Sequence, residues 1–397
     1  MTTSSQEPTR VAIACGGTGG HLFPGVAVAR QLMERGCAVT LLISPKEVDQ
    51  EAVKTASGME VCTLPAVGLQ AGRKLAFVTG CAKSLARSVS LFRRLRPAAA
   101  LAMGGFTSAP PILAARMLGA RVALHESNTI PGRANRWLAR IVHHAFVGFP
   151  GAAERLSCAN KMVTGTPARP EFQPQDSRMC RAALGLDPAR PVVLVMGGSQ
   201  GAGGVNRLLL ETLPLVQEQE PDLQWVHLSG RADLAHVRQT YASLGVTAAV
   251  HPFFGRMELA LGAASVAVSR AGASSLAEIA AMQLPSILVP YPAAMDNHQF
   301  HNARALEQTG AARLLEEHAA QPAQMVASIL ELLRNTAARE TMIRALAQWH
   351  TPHAARHIAE LILSDLAPAA EPGATPAGLL QPEPAAARGA IRGGKLA

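Results

Sequence analysis

Apolar positions along the chain fall into two alternating patterns. Short unbroken apolar runs of strand length are followed by longer stretches in which apolar residues return every three or four positions, as one face of a helix requires. VAIAC (11–15) precedes a helical pattern reaching about Glu34, AVTLLIS (38–44) comes next, and ALAMG and RVALHE continue the series. Strands that are apolar throughout are buried on both faces, so the pattern predicts parallel sheets flanked by helices. The layout restarts about 180 residues on, where PVVLVMGGSQGAGG, from Pro191, repeats the order of VAIACGGTGGH: apolar strand, glycine turn, helix. Further strands are expected at LQWVHLSG, AAVHPFF, ASVAVSR and PSILVPY. The expected fold class is α/β, with two doubly wound, Rossmann-like domains facing a cleft. They cover residues 11–165 and 166–340, after a flexible lead-in at 1–10, and a C-terminal helix follows over 341–367. Residues 368–397, rich in Ala, Pro and Gly, are expected to be disordered. In such sheets ligands gather outside the carboxyl ends of the strands, where helix N-termini offer free N–H groups and positive dipole ends.

Charge adds a direction to this picture. Of the formal net charge of +9, the first 165 residues hold more than all, with 19 Lys and Arg against 8 Asp and Glu. No acidic residue stands between Glu60 and Glu126, a span that contains Arg73, Lys74, Lys83, Arg87, Arg93, Arg94, Arg96, Arg116 and Arg121. A basic first domain favours an anionic partner: phospholipid, pyrophosphate or nucleic acid. With 4% aromatic residues and no nucleic-acid module, no nucleic-acid partner is expected. No apolar run approaches the roughly 18 residues of a membrane span, and MTTSSQEPTR lacks the apolar centre of a secretory signal, so a cytoplasmic setting is expected. The six cysteines form no CxxC pair and are expected to be reduced thiols without chemistry.

The two glycine loops carry the candidate chemistry. CGGTGGHLFPG (15–25) permits close backbone approach to an anion, with Pro24 suited to a first helical turn. A dinucleotide fingerprint beginning at Gly17 needs glycine where Leu22 stands, and AVTLLIS does not end in the acidic residue that would hold a ribose, so a nicotinamide cofactor is not expected. No GK[ST] follows either loop, which excludes a P-loop. No Asp-x-Asp pair is present to hold a cation on a pyrophosphate, and neither metal nor cofactor is expected. His21 follows the glycines at a helix start, where the dipole disfavours the imidazolium. It is either a neutral base for a sugar hydroxyl or a histidine that only ties the loop. In SRAGASSLAE, Ser275 and Glu278 have the spacing of a capping box; alternatively the Glu278 carboxylate accepts two ribose hydroxyls. From Lys74 to Leu95, Leu75, Val78, Ala82, Leu85, Val89 and Phe92 share one stripe with Lys83, Arg87, Arg93 and Arg94 largely off it. That helix either packs on its sheet or meets a membrane.

Taken in order, GGTGGHLFPG, MGGFTSAPP, LHESN, MGGSQGA, SRAGASSLAEIA and the DNHQ after Pro290 resemble one family over residues 11–365. These are the bacterial glycosyltransferases that add N-acetylglucosamine to undecaprenyl-pyrophosphoryl-N-acetylmuramoyl-pentapeptide, producing lipid II. The resemblance implies a two-domain GT-B fold, inverting transfer from UDP-N-acetylglucosamine, and peripheral attachment to an anionic surface at the cytoplasmic face of the inner membrane. It further implies partners among cell-wall synthesis and division proteins. His21 is then the catalytic candidate. Thr18, Gly19 and Gly20 match donor and pyrophosphate contacts, Asn128 the Asn of an HExN motif, Arg169 the Arg after the linker, and Ser199 a Ser near the diphosphate. Ala273, Ser274, Ser275, Leu276, Ala277 and Glu278 match the ribose and phosphate loop, and Gln299 the sugar-reading Gln. The chain departs from the family pattern at Ser127, at Phe254 in the uracil-contacting position, at Gly255 and Arg256, and at His298. Two rivals stay open: another GT-B transferase acting on a different lipid or small acceptor, and a nucleotide-binding membrane scaffold without catalysis.

Overall fold

The computed structural model describes residues 7–17, 19–45, 58–65, 74–198 and 203–367. Two parallel sheets organise it. The first has the strand order β3-β2-β1-β4-β5-β6-β7, with β1 Arg10–Ala14, β2 Ala38–Ile43, β3 Glu60–Thr63, β4 Ala99–Ala102, β5 Arg121–Glu126, β6 His144–Val147 and β7 Asn160–Val163. The second has the order β10-β9-β8-β11-β12-β13, with β8 Val192–Met196, β9 Gln224–Leu228, β10 Ala248–His251, β11 Val266–Ser269, β12 Ser286–Leu288 and β13 Arg313–Leu314. Each is doubly wound, and the order reverses between β1 and β4 and again between β8 and β11. Those switch points are where such sheets open a crevice for ligands.

The core explains why the strands were legible. Val11, Ile13, Leu41 and Leu101 in the first sheet and Val193, Leu194 and Val268 in the second are almost wholly buried, because helices cover both faces. Helices used below are α1 (Gly19–Glu34), α2 (Lys74–Leu95), α3 (Arg133–Leu138), α4 (Gly203–Gln219), α5 (Ala273–Ala281), α6 (His298–Gln308), α7 (Thr336–Trp349) and α8 (Ala354–Ser364).

Three sequence expectations are corrected. The C-terminal helix expected over 341–367 is two helices, α7 and α8, parted at His350–His353, where Pro352 cannot continue the helix. After the break α8 packs on the first domain: Ile358, Ala359 and Ile362 join the cluster of Val11, Ile13, Leu22 and Val26. Arg35–Glu360 (2.9 Å) and Arg121–Asp365 (3.3 Å) pin it there. Only part of the apolar stripe of α2 is its buried face: Phe92, with Leu85 and Val89 partly buried beside it, packs on the first domain's core. Ser84, Ser88, Leu91 and Phe92 turn inward, while Leu75 and Val78 are 78% and 59% exposed. The capping box at Ser275 and Glu278 is absent, because α5 starts earlier, with Gly272 as its N-cap, and Glu278 lies in the helix interior. The residues expected to form the disordered tail (368–397) and most of the lead-in (1–6) lie outside the described residues.

Candidate active site

The first loop leaves β1 so close to the end of β2 that a Cβ on Gly16 would lie 2.4 Å from the Ser44 nitrogen. Only glycine fits there. α1 then begins at Gly19, which puts His21 in its first turn. The imidazole rests on the backbone of Gly104 and Gly105, which follow β4. A Cβ on Gly104 would stand 2.9 Å from ring atoms Cδ2 and Nε2, and both glycines have positive φ (111° and 76°). Thr107 Oγ1 donates to the Gly16 carbonyl at 2.6 Å and ties this platform to the first loop. The MGGFTS motif was visible in the sequence. Its part in holding His21 was not, since only the fold brings β1 and β4 side by side.

The loop after β5 is organised by Glu126. One carboxylate oxygen accepts the Asn128 backbone N–H (2.9 Å) and Asn128 Nδ2 (3.1 Å), and the other accepts Gly132 N–H and Asn135 Nδ2, each at 2.9 Å. Beneath it the fully buried His125 donates from Nε2 to the Gly165 carbonyl (3.0 Å) and meets the Ser127 hydroxyl at Nδ1 (3.2 Å). Burial lowers its pKa to about 4, against the raising effect of the Gly165 carbonyl, and the nearby His21 adds a smaller lowering. His125 is therefore neutral at physiological pH and serves as structure. Asn128 reaches the second domain through Asn302 of α6, a residue the sequence reading missed. Asn302 Nδ2 donates to Asn128 Oδ1 (3.0 Å) and the Ala271 carbonyl (3.1 Å), and its Oδ1 accepts the Thr129 N–H (2.8 Å).

From the second domain, the start of α5 faces the first loop directly. Ser274 Oγ donates to the Gly20 carbonyl at 3.0 Å, so the N-terminal turns of α1 and α5 meet. Ala273 and Leu276 have buried side chains and Ser275 and Ala277 half-buried ones. Ala273 can offer a ligand its backbone N–H, one of those the first turn of a helix leaves unused, whereas the Leu276 N–H already donates to the Gly272 carbonyl (3.0 Å). Glu278 lies one turn further in, 12% exposed. Burial pushes its carboxyl up to about 7, Arg169 pulls it down and Glu171 pushes it up. Arg169 bridges the two acids, with Nη1 3.1 Å from Glu171 and Nη2 3.9 Å from Glu278. Its guanidinium lies between the rings of Phe23 (4.7 Å) and Phe172 (4.6 Å), which hold the cation in place.

Gln299, in the first turn of α6, accepts with Oε1 the backbone N–H groups of Ala271 (3.2 Å) and Tyr291 (3.0 Å). The stitch ties together the loops after β11 and β12. Arg270, buried beside them, donates to the Val289 and Pro290 carbonyls and pairs with Glu317. Phe254 is partly buried, its ring packed on the second core with its centroid 4.9 Å from that of His251. The adjacent Phe253 is 76% exposed. Thr18 and Ser199 lie outside the described residues. Among the described residues, no group of three or more His, Cys, Asp or Glu is arranged to hold a metal.

The comparisons with known proteins follow the same two-part division. The glycosyltransferase family 28 N-terminal domain matches residues 11–147, and the family 28 C-terminal domain matches residues 192–361. A UDP-N-acetylglucosamine–N-acetylmuramyl-(pentapeptide) pyrophosphoryl-undecaprenol N-acetylglucosamine transferase of Anaeromyxobacter dehalogenans is 35% identical, covering 95% of this chain and 100% of its own length. The enzyme of the same name from Sorangium cellulosum is 38% identical over 89% of this chain and 87% of its own. Among solved structures, Acinetobacter baumannii MurG matches with a TM-score of 0.71 at 29% identity, covering 90% of this chain and 100% of that one.

Proposed function

The chain belongs to the UDP-N-acetylglucosamine–N-acetylmuramyl-(pentapeptide) pyrophosphoryl-undecaprenol N-acetylglucosamine transferases, and from that premise we propose how its cleft performs the transfer. It is a hexosyltransferase that moves N-acetylglucosamine from UDP-N-acetylglucosamine to the lipid-linked muramoyl pentapeptide, forming lipid II for peptidoglycan. In the proposed step the acceptor's C4 hydroxyl gives its proton to His21 as its oxygen bonds to the anomeric carbon. The bond from that carbon to the diphosphate breaks, and its electron pair leaves with UDP. The configuration inverts in one displacement, with no covalent enzyme intermediate. Gly19, Gly20 and the N-terminal N–H groups of α5 face the growing charge on the diphosphate, with the Arg169 cation behind them. Glu278 takes the ribose hydroxyls, Phe253 covers the uracil, and Gln299 meets the sugar.

What carries this reading is the hydrogen bond from Ser274 to Gly20, which sets the base-bearing turn of α1 against the anion-binding turn of α5. The test is transfer by the purified chain. Lipid II is expected from UDP-N-acetylglucosamine and undecaprenyl-linked muramoyl pentapeptide, with no product from diacylglycerol or a small aglycone. UDP binding with no transfer to any of these acceptors would instead mark a scaffold.

Acceptor delivery is proposed to use α2. Leu75 and Val78 stand exposed on its first turns, on the same helix as Lys83 and Arg87. Phe77 between them rests on Phe106 (6.2 Å), which directly follows the Gly105 platform of His21. An apolar patch on a basic helix, one ring contact from the base, suits a peripheral protein drawing a lipid acceptor from the cytoplasmic face of the inner membrane. On the same reading the chain works beside cell-wall synthesis and division proteins. No helix among the described residues is long and apolar enough to cross a membrane. Binding to vesicles containing anionic phospholipid should weaken as salt rises, and Leu75→Glu with Val78→Glu should lower the bound fraction about ten-fold. Cosedimentation indifferent to both would remove the patch from this role.

A further inference from the structure

Asp296 and Asn297, just before α6, both adopt left-handed backbone (φ 51° and 52°), a conformation that non-glycine residues seldom take in succession. Asp296 is met from across the cleft. Its Oδ2 lies 2.6 Å from Arg136 Nη2, and its Oδ1 3.8 Å from Arg133 Nη2, both on α3. Arg136 is itself well anchored, because its neighbour Asn135 donates to the His125 carbonyl (3.1 Å) and to Glu126 (2.9 Å). The pair is partly exposed, 44% for Arg136 and 32% for Asp296. Ion pairs in that setting add little to stability. Its consequence is geometric.

α6 is held by the first domain at two points, Asp296 ahead of its start and Asn302 one turn inside, and Gln299 lies between them. We propose that Asp296 is a positioning residue for the transfer: by tying the left-handed turn to Arg136 of the acceptor domain, it sets where Gln299 presents its amide to the donor sugar. The proposal rests on the reading that Gln299 faces the sugar of UDP-N-acetylglucosamine. It gives the DNHQ segment two tasks, with Gln299 contacting the donor and Asp296 making that contact depend on domain closure. Without the tether the turn relaxes toward ordinary backbone and the head of α6 shifts, while the nucleotide contacts of α5 stay in place.

The experiment compares Asp296→Ala, Arg136→Ala and the exchanged pair Asp296→Arg with Arg136→Asp. Readouts are kcat and KM for UDP-N-acetylglucosamine, affinity for UDP alone, and thermal unfolding. Asp296→Ala is expected to lower kcat/KM about ten-fold through misplacement of the sugar, with UDP affinity changed less than about two-fold and unfolding unmoved. Arg136→Ala should lose less, since Arg133 stands near enough to substitute. The exchanged pair should recover most of the loss. Wild-type kcat/KM in Asp296→Ala, no recovery in the exchanged pair, or UDP affinity falling as far as that for UDP-N-acetylglucosamine would each overturn the proposal. Full activity in a Gln299→Ala control would instead overturn the sugar-facing reading of Gln299, whatever the Asp296 variants do.

Discussion

Replacing His21 by alanine is expected to lower kcat by roughly 10²- to 10⁴-fold, the range in which a positioned general base contributes, while UDP-N-acetylglucosamine affinity stays within a factor of about three. The ring is held by shape. Gly104 and Gly105, both at positive φ, bring their backbone against the imidazole, so close that a Cβ would stand 2.9 Å from the ring at Gly104 and 3.3 Å at Gly105. His21 lies in the first turn of α1, the positive end of the helix dipole. The partly exposed setting of His21 differs from that of His125, which is fully buried and held neutral by that burial. The two histidines are close enough for one charge to be felt at the other. Steady-state transfer with His21→Ala, paired with calorimetric titration of donor, checks the assignment. Full turnover with normal donor binding would reduce His21 to a structural part of the loop.

The sequence disclosed those features whose cause is local. Parallel strands buried on both faces must be apolar throughout, so VAIAC and PVVLVM announced both sheets, and the glycine turns after them marked the ligand-facing ends. Residues whose role is set by distant partners were silent. Asn302 reads as an ordinary polar position in an amphipathic helix; it matters because the fold carries Asn128 and Thr129 to it. The spacing of Ser275 and Glu278 satisfied a capping box, yet Gly272 claimed the cap position and left Glu278 buried in the helix, available to a ligand. Periodicity gave α8 an apolar face without saying which domain it would cover. The stripe on α2 divides along the helix: Leu85, Val89 and Phe92 pack on the core beside Ser84 and Ser88, while Leu75 and Val78 stand exposed, a difference that spacing alone does not carry.

In the ribose-binding role proposed for it, the Glu278 carboxyl is expected to make donor affinity depend on pH. Burial dominates and pushes its pKa to about 7, with Arg169 opposing and Glu171 reinforcing. A ribose diol donates two hydrogen bonds, which the carboxylate can accept with both oxygens and the protonated acid cannot. About a tenth of such a group is ionised one unit below its pKa and about nine tenths one unit above it, so affinity for UDP-N-acetylglucosamine should rise about ten-fold from pH 6 to pH 8. The diphosphate of this donor is esterified at both ends and does not titrate in that window. Glu278→Gln should flatten the profile and weaken binding at pH 8 by about ten- to a hundred-fold, the worth of one or two charged hydrogen bonds. Stability should move the other way. A carboxyl whose pKa is raised by folding stabilises the folded chain fully below its ordinary value, 4.5, and that contribution is lost as pH rises through about 7. The glutamine has no charge to bury, and Arg169 keeps Glu171 as a partner, so the variant should unfold at a higher temperature than wild type at pH 8. Weaker donor binding in a better-folded protein separates a lost ligand from a damaged fold. An affinity that stays level from pH 6 to 8 in the wild type, or a variant that binds donor normally, would take Glu278 out of the ribose site.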